Sequence, residues 1–369
     1  MNIPAFRWAR DAEVTAHIHS VAPVLISKSE NGEILDNPWD VSFMRMFDMA
    51  NDSDKFIDHE MISDRIVSRN GAKAILADGT EVYPLYEGKM IWHYDHRYGT
   101  YEGQSEKQAN KGVLPRVDEA GHTNPDYQIQ PRYWLSKSIV DISVQGKLKR
   151  DWFIGWRDLG PTERTLICCV IPLTAAGHKI PIMQLEVSAE LISAFLAILS
   201  SLIIDFDARQ NGNGMSYFII EQLAIMHPME LASKQIWSGC STIPWIADRV
   251  LELTYTNHEL EAFAFDLGKR HPPFNWDSSR RQFLQAELDA AIMHLYELSR
   301  EQAEWILESF TVLRKYEERD HGEFRTKRLV LEIFDEMQLA KDNGAAYKTR
   351  LDPPPGDPSL THSSIPVQN

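Results

Sequence analysis

The chain has 369 residues, 43% hydrophobic and 25% charged, which excludes a collagen-like repeat, a disulfide-stapled miniprotein and a fully disordered chain. Its 38 Lys+Arg against 53 Asp+Glu leave a net charge of −15, so any nucleic-acid partner must be met by a local patch rather than by bulk charge. Three cysteines, two of them adjacent in Leu166-Ile-Cys-Cys-Val-Ile171, make neither a disulfide framework nor a zinc motif and fit a reducing, cytoplasmic compartment. The opening MNIPAFRWARDAE lacks the apolar segment of a signal peptide. Leu191–Ile204 is too short to cross a bilayer, which takes about 20 residues, so no membrane partner is expected.

Residues 1–70 read as a mostly helical entry segment. Asp11–His19, Val41–Met49 and Asp58–Val67 are the helical stretches, with turns at Asn31-Gly32 and Asp36-Asn-Pro38. Residues 71–230 read as an α/β unit. Its strand candidates are Lys73–Leu76, Tyr83–Tyr86, Met90–Tyr94, Trp152–Arg157, Thr165–Ile171 and Ile180–Leu185, with a hairpin at Asp78-Gly79. Residues 102–131 are rich in Gly, Pro, Asn and Gln and read as a long mobile loop. Residues 189–205 form one apolar helix, followed by a turn at Asn211-Gly-Asn-Gly214.

Residues 231–345 are helical. Ile246–Thr254 and His258–Leu267 precede Arg280–Glu297, which carries apolar residues at helical spacing. Ser299-x-x-Gln302 is a capping box, and Arg325–Leu339 is a further amphipathic helix. Residues 346–369, with Pro353-Pro-Pro355, have too little apolar content to order themselves. The expected fold class is therefore α+β: a central mixed α/β unit followed by a C-terminal helical bundle.

Four constellations carry chemistry-bearing residues. Asp78 with Glu87-Gly-Lys89 matches the pattern of a Mg²⁺-dependent nuclease, and equally a turn carboxylate beside a solvated Glu/Lys pair. His93-Tyr-Asp-His96-Arg97-Tyr98 has the residue types that touch base edges and phosphates, and equally those of a packed strand end. Arg132-Tyr-Trp134 opens a stretch, residues 131–164, with seven Lys/Arg against four Asp/Glu. With Lys147, Lys149, Arg150, Arg157 and Arg164 it is either a nucleic-acid face or a solvated loop. Asp36-Asn-Pro-Trp39 reads as a turn, and the Asn211–Gly214 turn lacks a phosphate-loop lysine.

Several segments acquire meaning as an ordered series. They are Phe6-Arg-Trp-Ala-Arg-Asp11, Asn37-Pro-Trp39, Met46-Phe-Asp-Met49, Asn51-Asp-Ser53, Leu85-Tyr-Glu-Gly-Lys-Met90, Asp95-His-Arg97 and Thr100-Tyr101. Then come Arg132-Tyr-Trp134, Trp156-Arg-Asp158, Glu163-Arg-Thr165, Ile171-Pro172, Asp205-Phe-Asp-Ala-Arg209, Tyr217-Phe218 and Glu221-Gln-Leu223. The series closes with Arg249-Val-Leu-Glu-Leu-Thr254, Pro272-Pro-Phe274, Arg280-Arg281, Glu287-Leu-Asp-Ala290, Tyr296, Gly322 and Arg325-Thr326. From residue 5 to about 340 it resembles the C-terminal specificity half of large adenine-specific (N6) DNA methyltransferases of the type IIG restriction–modification and BREX- or DISARM-like phage-defence group.

The resemblance implies a target-recognition part without the S-adenosylmethionine site and Asn-Pro-Pro-Tyr loop of the family's N-terminal half. That cofactor is expected in a separate catalytic domain or subunit, and this chain is not expected to transfer a methyl group unaided. Double-stranded DNA and the catalytic part are the implied partners. The implied DNA-contacting residues are Lys89, His93, His96, Arg97, Tyr101, Arg132, Trp134, Arg157 and Arg164, with no catalytic or metal residue of its own. The 102–131 loop is the implied reader of base edges. A Mg²⁺ nuclease using Asp78, Glu87 and Lys89, and an adaptor that docks a methyltransferase without touching DNA, are the alternatives.

Overall fold

The computed structural model describes residues 6–212 and 214–363. Over them the chain is α+β, with two larger, mostly antiparallel sheets, a two-stranded ribbon of Ser27–Lys28 and Ile34–Asp36, and a helical C-terminal part.

The first sheet holds Cys168–Pro172, Trp152–Trp156, Ile182–Leu185 and Val41–Met44, side by side in that order and all antiparallel. Trp152–Trp156 and Cys168–Pro172 are buried on both faces, which is why their sequences are unbroken apolar runs. Successive side chains point to opposite faces. Trp152, Ile154, Trp156, Cys168 and Val170 therefore enter the main core, while Phe153, Cys169 and Ile171 join a smaller cluster with Tyr86, Met90 and Ile129.

The second sheet orders Ile57–Asp58, Tyr133–Ser136, Glu81–Tyr86, Lys73–Leu76 and Ile66–Asn70, and Ala175–Ala176 adds in parallel beside Glu81–Tyr86. The Asp78-Gly79 hairpin is present. Gly79 sits at φ +84° and donates to the Leu76 carbonyl at 2.8 Å, while Asp78 Oδ1 accepts from the Thr80 N–H at 3.0 Å.

Helices Ala189–Ser200 and Leu202–Gln210 pack into the core and meet at 58°. A single helix was expected there. Ser201 is extended instead, and its hydroxyl caps the second helix by accepting from the Ile204 N–H. Among the described residues no single helix is long and apolar enough to cross a membrane. Ala189–Ser200 packs on Thr242–Thr254, and Ser278–Leu295 packs on Arg325–Asp342. One apolar cluster runs from Val14 through the first sheet to Tyr347, and so crosses the 230/231 boundary expected from sequence.

Several expected elements take other forms. Val41–Met44 is a strand, because its backbone completes the edge of the first sheet beside Ile182–Leu185. Within Asp58–Val67 only His59–Ile62 is α-helical, and Ile66–Asn70 is a strand paired with Lys73–Leu76. Met90–Tyr94 is not a strand. A 3₁₀ turn, Gly88–Met90, leads into a tight turn in which Trp92 and Asp95 exchange backbone hydrogen bonds. The 102–131 segment contains helices Glu106–Asn110 and Glu119–Thr123 and is tied down from within, as described below.

Residues 346–363 of the C-terminal stretch dock on the helical part rather than remaining disordered as expected. Tyr347 is buried, Arg350 pairs with Glu332 and Glu336, the Gly356 N–H donates to Glu252 at 2.9 Å, and the His362 N–H donates to the Pro273 carbonyl. Proline-rich sequence docks here because the folded helices supply the partners that it lacks locally. Residues 364–369, and Asn213 of the expected turn, lie outside the described residues.

Candidate functional site

The segment from Glu87 to Arg97 links the second sheet to the helical part. Tyr94 holds a left-handed φ of +57°, a conformation uncommon for a residue with a side chain. This turn directs His93 and Asp95 inward. Gly99 then passes so close to Lys89 that a Cβ would stand 2.5 Å from the Lys89 carbonyl oxygen. Glycine is required there, and the close passage brings Tyr101 back to Glu87 and Lys89.

The returning chain builds a cation–aromatic cluster. The Tyr101 hydroxyl donates to Glu87 Oε1 at 2.6 Å, and Lys89 Nζ lies 5.0 Å from the centre of the Tyr101 ring. Arg132 is exposed, lies 5.0 Å over Tyr133 and neighbours Tyr101. His59 adjoins it, donating its N–H to the Arg132 carbonyl, while its Nδ1 accepts from Trp134 Nε1 at 3.0 Å. Arg69 lies 5.2 Å over Trp134 and donates to Gln128 Oε1. Neither Arg69 nor Arg132 pairs with a carboxylate among the described residues. By contrast Arg300, Arg314, Arg328 and Arg350 of the helical part are all ion-paired.

Of the nine residues expected at DNA, Lys89, Tyr101 and Arg132 thus meet in this cluster, and Trp134 lies beneath Arg69 with no exposed surface. The other five turn inward. Arg97 is fully buried, and its guanidinium is surrounded by backbone carbonyls of residues 121–127 and of Thr256. His96 bonds Glu259 at 3.1 Å. Arg157 donates to the Ile91 carbonyl and lies near both Trp92 and Tyr98. Arg164 is tied to Asp205 and to the Ser200 carbonyl. His93 is buried at the wall of a cavity. Arg97, His96, Arg157 and Arg164 serve the framework because a buried polar group needs a partner, and the interior carbonyls and carboxylates supply it, whereas neither ring nitrogen of His93 is bonded. Arg69, exposed on a strand flanked by polar residues, went unnoticed in the sequence because no motif includes it.

The residues of the nuclease pattern do not converge. Asp78 pairs with Arg65 at the hairpin tip, whereas Glu87 follows the far end of strand Glu81–Tyr86, about 20 Å of extended chain away. Among the described residues no group of three or more His, Cys, Asp or Glu side chains is placed to hold a metal ion.

The cavity, about 430 Å³, lies between the 92–122 region and helices Ser278–Leu295, Thr311–His321 and Arg325–Asp342. At its edge His122 Nε2 meets Asp95 Oδ2 at 3.0 Å, and the His122 ring stacks on Trp276 at 3.9 Å. Burial by itself would raise the Asp95 carboxyl. The His122 hydrogen bond, with the charges of His122, Arg281 and Arg97, overcomes it and holds the group at about 2.

Asp289 behaves in the opposite way. Burial pushes it up to about 6, although Arg164 and the hydrogen bond from the Leu202 N–H favour its charge. A carboxyl raised in the folded state stabilises fully below its unfolded value near 3.8, and that stability is lost as pH rises through 6. Asp289→Asn keeps an oxygen for Leu202 and cannot ionise. It is expected to stabilise the protein by about 1–3 kcal/mol above about pH 7 and to give no gain below about pH 4, read from urea midpoints at both. An equal effect at the two pH values would show that the carboxyl is not raised.

No family model matches this chain, and no curated protein matches its sequence.

Proposed function

We propose that this chain is the DNA-recognition (specificity) part of an adenine-specific DNA methyltransferase of a restriction–modification or phage-defence system. It works with a catalytic domain or subunit that binds S-adenosylmethionine, and it does so in the cytoplasm. The ordered motif series from Phe6 to Thr326 supports the reading. Three free cysteines are compatible with the compartment.

The observation that carries the DNA part is the pair of exposed, carboxylate-free arginines, Arg69 and Arg132, set among aromatic rings with Lys89. In a chain of net charge −15, such a local cluster is what phosphates require. The cations hold the backbone and set register, and polar side chains around them read base edges. Because few cations take part, binding is modest and steeply dependent on salt.

Fluorescence anisotropy with a labelled duplex tests this. The chain is expected to bind at low salt and to release as salt rises. The double variant Arg69→Ala/Arg132→Ala should weaken binding by about tenfold or more and flatten the salt slope by about two. S-adenosylmethionine added to the chain alone is expected to leave the DNA unmethylated. Duplex binding that is absent at low salt, or unchanged in the double variant, sinks the reading and leaves the adaptor role.

A further inference from the structure

The cavity beside Asp95 shares no residue with the cationic cluster, and its chemistry differs. Helix Ser278–Leu295 turns one face to it, with Ser278, Arg281, Gln282, Gln285, Ala286 and Asp289 at three- and four-residue spacing. Most charged groups around it are already occupied. Arg164 is held by Asp205 and Ser200, Arg281 by the Leu253 and Tyr94 carbonyls, Glu317 by Thr326, and Asp95 by His122. Arg116 and Glu119 also line it but are exposed to solvent, and the Asp289 carboxylate accepts from the Leu202 N–H; the remaining polar capacity is neutral. Gln282 and Gln285 line the cavity, and their amides make no hydrogen bond within the described residues. Each offers two donors and an acceptor.

His93 adds to this set. It is 3% exposed, lines the cavity, and neither ring nitrogen has a partner. Folded proteins rarely leave buried ring nitrogens unpaired, so the arrangement points to a partner that binds. Burial, reinforced by the charges of Arg164 and Arg157, keeps the ring neutral, with one donor and one acceptor. Trp92, Tyr98 and Trp276 form the apolar walls.

We infer that this cavity binds a single nucleobase, a neutral planar heterocycle whose edge is read by Gln282, Gln285 and His93. The volume suits a base with its sugar, at the lower end of the range of small-molecule pockets. Side-chain amides are matched to base edges because they present a donor and an acceptor together. The base arrives either as a free nucleoside or as a residue extruded from DNA, where the loss of stacking must be offset by such contacts. The inference stands independently of the proposed DNA role, since different residues carry it.

The experiment titrates the full chain with adenosine, guanosine, cytidine and thymidine, following tryptophan emission and heat. In parallel, the chain is added to duplexes carrying 2-aminopurine at a mismatch, whose emission rises when the base leaves the stack. Saturable binding of at least one nucleoside is expected, weakened about tenfold or more in Gln282→Leu/Gln285→Leu. The near-isosteric Gln282→Glu/Gln285→Glu should lose binding as well, while Arg69→Ala/Arg132→Ala should leave nucleoside binding unchanged. Silent nucleosides together with a 2-aminopurine signal that both glutamine variants abolish would assign the base to DNA. Silence in both arms, or equal signals in wild type and glutamine variants, overturns the inference.

Discussion

Replacing Arg97 by alanine is expected to destabilise the protein by about 3–5 kcal/mol and to release the segment 102–131 to proteolysis before the rest of the chain opens. Arg97 has no exposed surface. Its Nη1 donates to the carbonyls of Asn124 at 3.0 Å and Tyr127 at 3.2 Å, with a longer contact to Gly121. Its Nη2 donates to the carbonyls of His122 and Thr256, both at 3.1 Å. A guanidinium is the one side chain with enough donors in a fixed fork to satisfy this many acceptors. Removing it leaves buried carbonyls without donors and a void as large as the side chain. Lysine is not a remedy, since a compact ammonium cannot reach the same set. Arg97→Lys should therefore recover less than half of the loss. Urea unfolding measures the energy, and mapped limited proteolysis locates the first cut. A loss below about 1 kcal/mol, or a first cut elsewhere, would mean that Arg97 is not the pin of this segment.

Glu287→Ala is the second large effect, expected at about 3–5 kcal/mol. Glu287 is fully buried; Arg249 Nε donates to its Oε2 at 2.9 Å, and the Tyr347 hydroxyl donates to its Oε1 at 2.8 Å. Arg249 in turn lies 3.3 Å over Trp245. Alanine strands a buried cation and removes the anchor of the C-terminal stretch together. Glu287→Gln keeps one acceptor and should lose less. Tyr347→Phe removes a single hydrogen bond and should cost about 1–2 kcal/mol. Thermal melts of the three variants check the order. If Tyr347→Phe were without effect, the docking of the stretch after Asn343 would rest on its ion pairs, Arg350 with Glu332 and Glu336, rather than on the core.

Local chemistry determined much of this protein in advance. The Asp78-Gly79 hairpin, the strands expected at Trp152–Arg157 and Thr165–Ile171, the Ser299–Gln302 capping box and the helix expected at Arg280–Glu297 all follow from signals within a few residues. They are present, the strands as Trp152–Trp156 and Cys168–Pro172 and the helix as Ser278–Leu295. Of the nine residues that the resemblance singled out, Lys89, Tyr101 and Arg132 lie together in the folded chain.

Tertiary structure decided the rest. Val41–Met44 is a strand because a sheet edge needed pairing, which its own sequence does not reveal. Polar composition made residues 102–131 read as mobile, yet one buried arginine supplies the donors for their carbonyls. The same fact divides the basic and histidine residues into two kinds. His96, Arg97, Arg157 and Arg164 find acceptors inside and act as framework, while Arg69 and Arg132 pair with no carboxylate among the described residues and are exposed. A residue type states which bonds it needs. Only the folded chain settles whether those bonds close within the protein or remain open to a ligand, because the partners come from segments far apart in sequence.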